Sequence, residues 1–77
     1  MAPLPDPDLV KRFWESPDEA LLTGPVVAAG RNCSPALLER ERWQKTGPKY
    51  VKINSRVFYR KADVLAWLHE RELEGAA

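Results

Sequence analysis

Residues 30–35 read Gly30-Arg31-Asn32-Cys33-Ser34-Pro35, and the fold turns on this stretch. Gly or Asn can adopt the left-handed backbone that closes a helix. Ser followed by Pro is an N-cap with proline in the first helical position, where a missing N–H costs nothing. One helix therefore stops and another starts within a few residues. Upstream, Thr23 is a cap, Gly24 and Pro25 fit a first turn, and Val26, Val27, Ala28 and Ala29 make a short helix of small apolar residues. Downstream, the second helix runs from Ala36 to about Lys45. Two helices joined by so tight a turn form a helix-turn-helix.

Beyond that pair, Thr46-Gly47-Pro48 breaks the helix and the apolar period changes from 3.6 to 2. Val51 and Ile53 alternate with Lys52, and Val57 and Tyr59 alternate with Phe58. Placing both apolar pairs on one face sets Ile53 opposite Val57 and Val51 opposite Tyr59. That register predicts a three-residue loop, Asn54-Ser55-Arg56, with Lys52, Arg56 and Arg60 on the rim or outer side. A last helix is predicted over residues 62–72, with Val64, Leu65, Trp67 and Leu68 toward the core and Asp63 at its positive end.

Before the pair, residues 1–7 hold three prolines and predict irregular chain. Asp6 or Asp8 can cap a short helix through Glu15, with Leu9, Val10, Phe13 and Trp14 on one face. Ser16-Pro17-Asp18-Glu19 has the form of a capping box and predicts a helical turn through Leu22. The organisation expected is an N-terminal extension over 1–20, one domain over 21–73 and a tail over 74–77.

A chain of 77 residues makes one domain, and at this size it buries only about 60–65% of its unfolded surface. The single cysteine, Cys33, cannot form an internal disulfide, which predicts an intracellular protein. No apolar run nears the ~20 residues of a membrane span, and the N-terminus lacks the pattern of a signal peptide. The localisation expected is cytoplasmic. The only histidine, His69, lies beside Glu70 late in the last helix. There is no phosphate loop and no metal-ligand spacing, so neither catalysis nor a cofactor nor a metal is expected.

Charge supplies the functional signal. The formal net charge is only +1, yet residues 40–61 hold eight of the twelve basic residues: Arg40, Arg42, Lys45, Lys49, Lys52, Arg56, Arg60 and Lys61. Glu41 is the sole acid among them. A near-neutral chain with one positive strip offers a single face to a polyanion, which points to nucleic acid.

The order helix, tight turn, helix, basic hairpin, helix resembles that of a MerR-like winged helix-turn-helix, a mainly α fold with a small β-hairpin. Leu21-Leu22-Thr23 with Val27-Ala28 resembles the opening of excisionase/AlpA-type DNA-binding proteins. Ser34-Pro35 with Leu38-Glu39-Arg40 and Arg42 is similar to their second helix. Gly47-Pro48-Lys49-Tyr50-Val51-Lys52-Ile53 is similar to the start of their hairpin. Arg56-Val57-Phe58-Tyr59-Arg60, Asp63 and Trp67-Leu68 are similar to their wing and closing helix. The resemblance covers about residues 21 to 70. It departs at Gly30-Arg31, where the family has an apolar pair, at Asn32, where it favours glycine, and at Asn54-Ser55, a wing tip that often carries glycine.

The resemblance implies sequence-specific binding to double-stranded DNA and a nucleoid-associated location. It implies the role of a recombination directionality factor, which binds tandem sites, bends DNA and steers a site-specific integrase toward excision. Head-to-tail self-association would follow on such sites. A stand-alone transcriptional regulator is the alternative within the same chemistry, and a protein-interaction adaptor of the same shape is the alternative outside it.

In such a fold the second helix enters the major groove, presenting its cap and first two turns. Ser34 would offer its hydroxyl and backbone N–H to phosphate, with Pro35 and Ala36 beside it in the first turn of the recognition helix. Arg40 is the candidate for bidentate readout of guanine, and Glu39 can accept from cytosine N4. Arg42 is either a DNA contact or a structural residue whose stem packs on the hairpin and whose head pairs with a carboxylate. Glu41 is expected on a solvated face, and Gln44 and Lys45 near the DNA backbone. From the wing, Lys49, Lys52, Asn54, Ser55, Arg56 and Arg60 would reach phosphates or the adjacent minor groove.

Trp67 and Tyr59 are expected in the core. Trp43 and Phe58 could be core residues or base-stacking platforms. Leu9, Val10, Phe13 and Trp14 either meet a neighbouring copy or fold back onto the domain.

Overall fold

The computed structural model describes the backbone of residues 6–76 and the side chains of residues 6–73. The proline-containing stretch before residue 6 and the side chains of the 74–77 tail lie outside the described residues. The elements are α1 (Pro7–Glu15), β1 (Leu21–Thr23), α2 (Gly24–Gly30), α3 (Pro35–Gln44), β2 (Val51–Ile53), β3 (Arg56–Arg60) and α4 (Lys61–Ala76). The three strands form an antiparallel sheet of order β1-β3-β2. Phe13, Leu22, Val26, Val27, Ala28, Leu38, Tyr59 and Val64 form the buried core.

α1 begins as expected, with the Asp6 carboxylate accepting from the Asp8 N–H at 2.9 Å and Pro7 in the first turn. Its apolar face folds back. Phe13 is fully buried and Leu9 packs against the core. The Phe13 ring lies directly on the backbone of Gly30, where an added Cβ would stand 2.3 Å from Phe13 Cγ. Glycine at position 30 is thus what admits α1 to the core. This corrects the placement of Phe13 on a self-association face and binds residues 6–15 to the core that the rest of the chain builds. Trp14, packed edge-on to Phe13 at 4.9 Å, remains 51% exposed.

The helical turn expected over residues 16–22 is absent. Ser16 closes α1, and the chain turns at Pro17 with the Ala20 N–H bonded to the Pro17 carbonyl at 3.0 Å. Leu21–Thr23 then runs as a strand, with Leu22 opposite Tyr59 on β3 and buried beside it. Strand pairing satisfies this backbone, and the loop before it gains a second use. The carbonyls of Asp18 and Ala20 accept from the N–H groups of Ala62 and Lys61 at 2.9 and 3.0 Å, occupying donors that the start of α4 leaves open.

The turn between α2 and α3 has the expected chemistry. Asn32 takes a left-handed backbone, φ 59°. The N–H of Cys33 bonds to the carbonyl of Ala28 at 2.8 Å and that of Asn32 to Ala29 at 3.1 Å, a Schellman closure. Ser34 caps α3 through Leu37 N–H at 3.2 Å. α3 closes in the same manner one residue earlier than expected, with Lys45 at φ 57° and Thr46 N–H bonded to the Glu41 carbonyl at 3.0 Å.

The hairpin differs in register from the sequence expectation. Val51 pairs with Phe58, Lys52 with Val57 and Ile53 with Arg56. The loop is the two-residue pair Asn54-Ser55, with φ 49° and 67°. Two left-handed residues give a turn whose twist matches that of the strands, and this outweighs matching apolar residues across the ladder. Directly opposed residues share a face, so Lys52 lies with Val57 and Tyr59 on the core side, not the outer side. No helix among the described residues is long and apolar enough to cross a membrane.

Candidate nucleic-acid interface

α3 buries Leu38 and turns its opposite side outward, where Ala36, Arg40 and Trp43 follow one another at i, i+4 and i+7. On the inner side of α3, Arg42 and Glu41 are engaged within the protein. Arg42 donates from Nη1 to the Tyr59 hydroxyl at 2.8 Å, and its guanidinium lies 5.9 Å from the Tyr50 ring centroid. Arg42 thus bridges α3 to β3, through a phenol and not a carboxylate.

Glu41 is not on a solvated face. Its carboxylate accepts from both terminal nitrogens of Arg31, at 2.7 and 2.9 Å, with side chains 8% (Arg31) and 12% (Glu41) exposed. The hydrogen bond to Glu41 raises the Arg31 pKa above its ordinary value, against the opposing effect of burial. The Arg31 guanidinium also lies 4.3 Å from the Trp67 ring centroid. Trp67 is therefore a half-buried platform at the edge of the core rather than a core residue, and its Nε1 donates to the Thr46 carbonyl at 2.9 Å. Gly47 fits closely under the same acid, since an added Cβ would meet Glu41 Cβ at 2.8 Å. An arginine in a normally apolar position and a lone acid in a basic strip were the two sequence signals of this pair.

Lys61 also leaves the exposed strip. Only 6% exposed, it donates from Nζ to the carbonyls of Trp14 and Ser16 at 2.9 and 2.6 Å. A cation there satisfies the open carbonyls at the C-terminal end of α1.

What stays outside is divided between the α3 side of the hairpin and the opposite face of the sheet. Ser34, Ala36, Leu37 and Arg40 line a hollow at the start of α3. Glu39, Arg42 and Trp43 of α3 face Lys52, Ser55 and Val57 of the hairpin across a groove floored by Tyr50. The groove continues past Tyr50 to Lys45, Pro48 and Lys49. Pro35, Gln44 and Asn54 are exposed. Strand alternation puts Arg56 and Arg60 on the sheet face away from Tyr59, opposite Ile53 and Leu21 respectively. Among the described residues, Arg40, Lys45, Lys49, Lys52, Arg56 and Arg60 are exposed and make neither an ion pair nor a side-chain hydrogen bond. Tyr50 is a groove residue that sequence reasoning did not assign, and Trp43, left open between the core and a base-stacking platform, lies outside the core.

Cys33 is half-buried against the core, and burial raises its thiol pKa while nearby Arg31 lowers it. His69 is exposed. No group of three or more potential metal ligands occurs among the described residues. Comparison with protein-family models, with curated proteins and with solved structures gave no match to this chain.

Proposed function

We propose that this chain is a winged helix-turn-helix protein that binds double-stranded DNA, with α3 as recognition helix and the β2–β3 hairpin as wing. One observation carries the reading. Of the six exposed, unpaired cations, four, Arg40, Lys45, Lys49 and Lys52, lie along α3 and the groove, while the one acid of the 40–61 segment is held inward by Arg31. Gathering like charges gains the fold nothing, and a polyanion relieves their repulsion. Arg40, on the outward stripe of α3, reads a guanine edge in the major groove. Ser34 at the N-cap, and Lys52 and Ser55 across the groove, meet phosphates.

The resemblance of residues 21–70 to excisionase/AlpA-type proteins supports the narrower role of a recombination directionality factor acting with an integrase on tandem sites. Contacts between adjacent copies on DNA belong to the same reading. Trp14 and the partly exposed Val10 are available for them; Phe13 is not.

Duplex titration at two or more salt concentrations tests the binding. Engagement of three or four phosphates gives a slope of log K against log salt between about −2.7 and −3.6. Absence of duplex binding at low salt overturns the reading in favour of a protein-binding adaptor. An excision assay with an integrase tests the narrower role: no gain in excised product removes that role and leaves DNA binding standing.

A further inference from the structure

Trp43 is the most exposed large apolar side chain among the described residues, at 84%. It makes no ring, cation or hydrogen-bond contact within the protein. The fold therefore gains nothing from an indole at this position, and its placement says what could use it. Trp43 stands on the outward stripe of α3 one turn beyond Arg40 and lines the groove shared with Lys52 and Ser55. Arg42 and Lys52 outnumber the acid Glu39 among the charged residues of that groove, and Arg40 stands one turn away, so a partner that covers the indole presents net negative charge around an apolar spot.

A DNA major groove has that character. Bases in a duplex are stacked and show only their edges there. Among those edges the one apolar group is the 5-methyl of thymine. The indole carries no charge for a phosphate and, from a helix in the groove, does not reach a base face. Arg40 and Trp43 are separated by about 4.5 Å along the helix axis, comparable to the ~3.4 Å step between base pairs.

Resting on the DNA-binding reading above, we propose that Trp43 is a specificity-determining residue. Its indole packs on the 5-methyl group of a thymine one or two base pairs from the base contacted by Arg40.

The test uses the full chain and duplexes enriched by it from a random-sequence pool. Each is resynthesised with thymines replaced by deoxyuridine one at a time, which removes only the methyl group. Uracil at one position per bound copy should weaken binding about fourfold, the effect of one buried methyl-sized group. Trp43→Ala should bind the thymine and uracil duplexes equally, and Trp43→Phe should keep part of the preference. Because Trp43 is exposed, both variants should retain the wild-type circular dichroism. Failure to enrich any duplex, with duplex binding absent at low salt, removes the DNA reading itself; failure to enrich with binding retained overturns the assignment of Trp43 to specificity. Duplex binding with uracil tolerated everywhere, or a uracil penalty that persists in Trp43→Ala, overturns the assignment of Trp43 and leaves DNA binding intact. A loss on single strands larger than on duplexes in Trp43→Ala also overturns it, making the indole a stacking platform.

Discussion

Arg31 and Glu41, ten residues apart across the tight turn, join the end of α2 to the middle of α3 through two parallel hydrogen bonds. The pair fixes how the second helix leaves the first, and so where Arg40 and Trp43 point. Trp67 stacks on the guanidinium from α4, so three helices meet at one ion pair.

Breaking that pair from one side should be worse than replacing it. Arg31→Met leaves a poorly hydrated carboxylate and should cost about 2–3 kcal/mol. The double variant Arg31→Met/Glu41→Leu should recover much of the loss. Urea midpoints of the four proteins give the coupling, and strictly additive losses would show that the two side chains do not support each other.

The N-terminal helix should be indispensable for folding. Phe13→Ala empties a fully buried site and should cost about 3–5 kcal/mol, most of the stability of a domain this small. Deleting residues 1–15 should abolish cooperative thermal unfolding. Gly30→Ala, which pushes a methyl into the Phe13 ring, should cost about 1–3 kcal/mol. A truncated chain that stays folded would return α1 to an accessory role.

Lys61 should act on stability and not on DNA affinity. Lys61→Met loses both bonds to the α1 carbonyls and should lower stability by about 1–3 kcal/mol. Under conditions where the variant is folded, the salt slope of duplex binding should match wild type. A slope reduced by about one unit would make Lys61 a phosphate contact.

The hairpin turn should tolerate improvement. Ser55 sits at φ 67°, a region that costs a side-chain-bearing residue about 1 kcal/mol, while Asn-Gly is the pair this turn favours. Ser55→Gly should raise the urea midpoint by the equivalent of about 0.5–1 kcal/mol. A lower midpoint would mean the serine side chain contributes more than its backbone geometry costs.

Among the exposed cations the two sheet faces should separate. Arg40→Ala should reduce discrimination between selected and random duplexes by about 1–3 kcal/mol. Lys52→Ala, facing α3, should weaken binding on all duplexes and shrink the salt slope by about 0.9. Arg60→Ala, on the opposite face, should leave the slope unchanged. Equal effects of Lys52 and Arg60 would mean that the DNA does not follow the α3 side of the hairpin.

Several features were readable because their causes are local. The closing of α2 at Asn32, the capping of α3 by Ser34-Pro35, the capping of α1 by Asp6 and the two-strand hairpin depend on residues within a few positions of one another. The burial of Tyr59 followed from apolar alternation. Alternation did not yield the register, because aligning apolar residues and forming a left-handed two-residue turn gave different answers, and the turn prevailed. Leu21 and Leu22 were misread as helical because their strand exists only through pairing with β3, far along the chain.

By itself the sequence determined the run of helices, the tight turn between α2 and α3, the presence of a hairpin and the basic character of the segment that follows the turn. These follow from local backbone preference, period and composition. Only the tertiary structure decided which charges face outward. Lys61 is drawn to the end of α1, Arg42 to Tyr59 and Glu41 to Arg31, while Arg40, Lys45, Lys49 and Lys52 stay exposed along α3 and the groove. A charge in a sequence is the same symbol whether solvated or buried. What separates the two is whether packing brings a partner close enough to replace water, and that depends on elements distant in the chain.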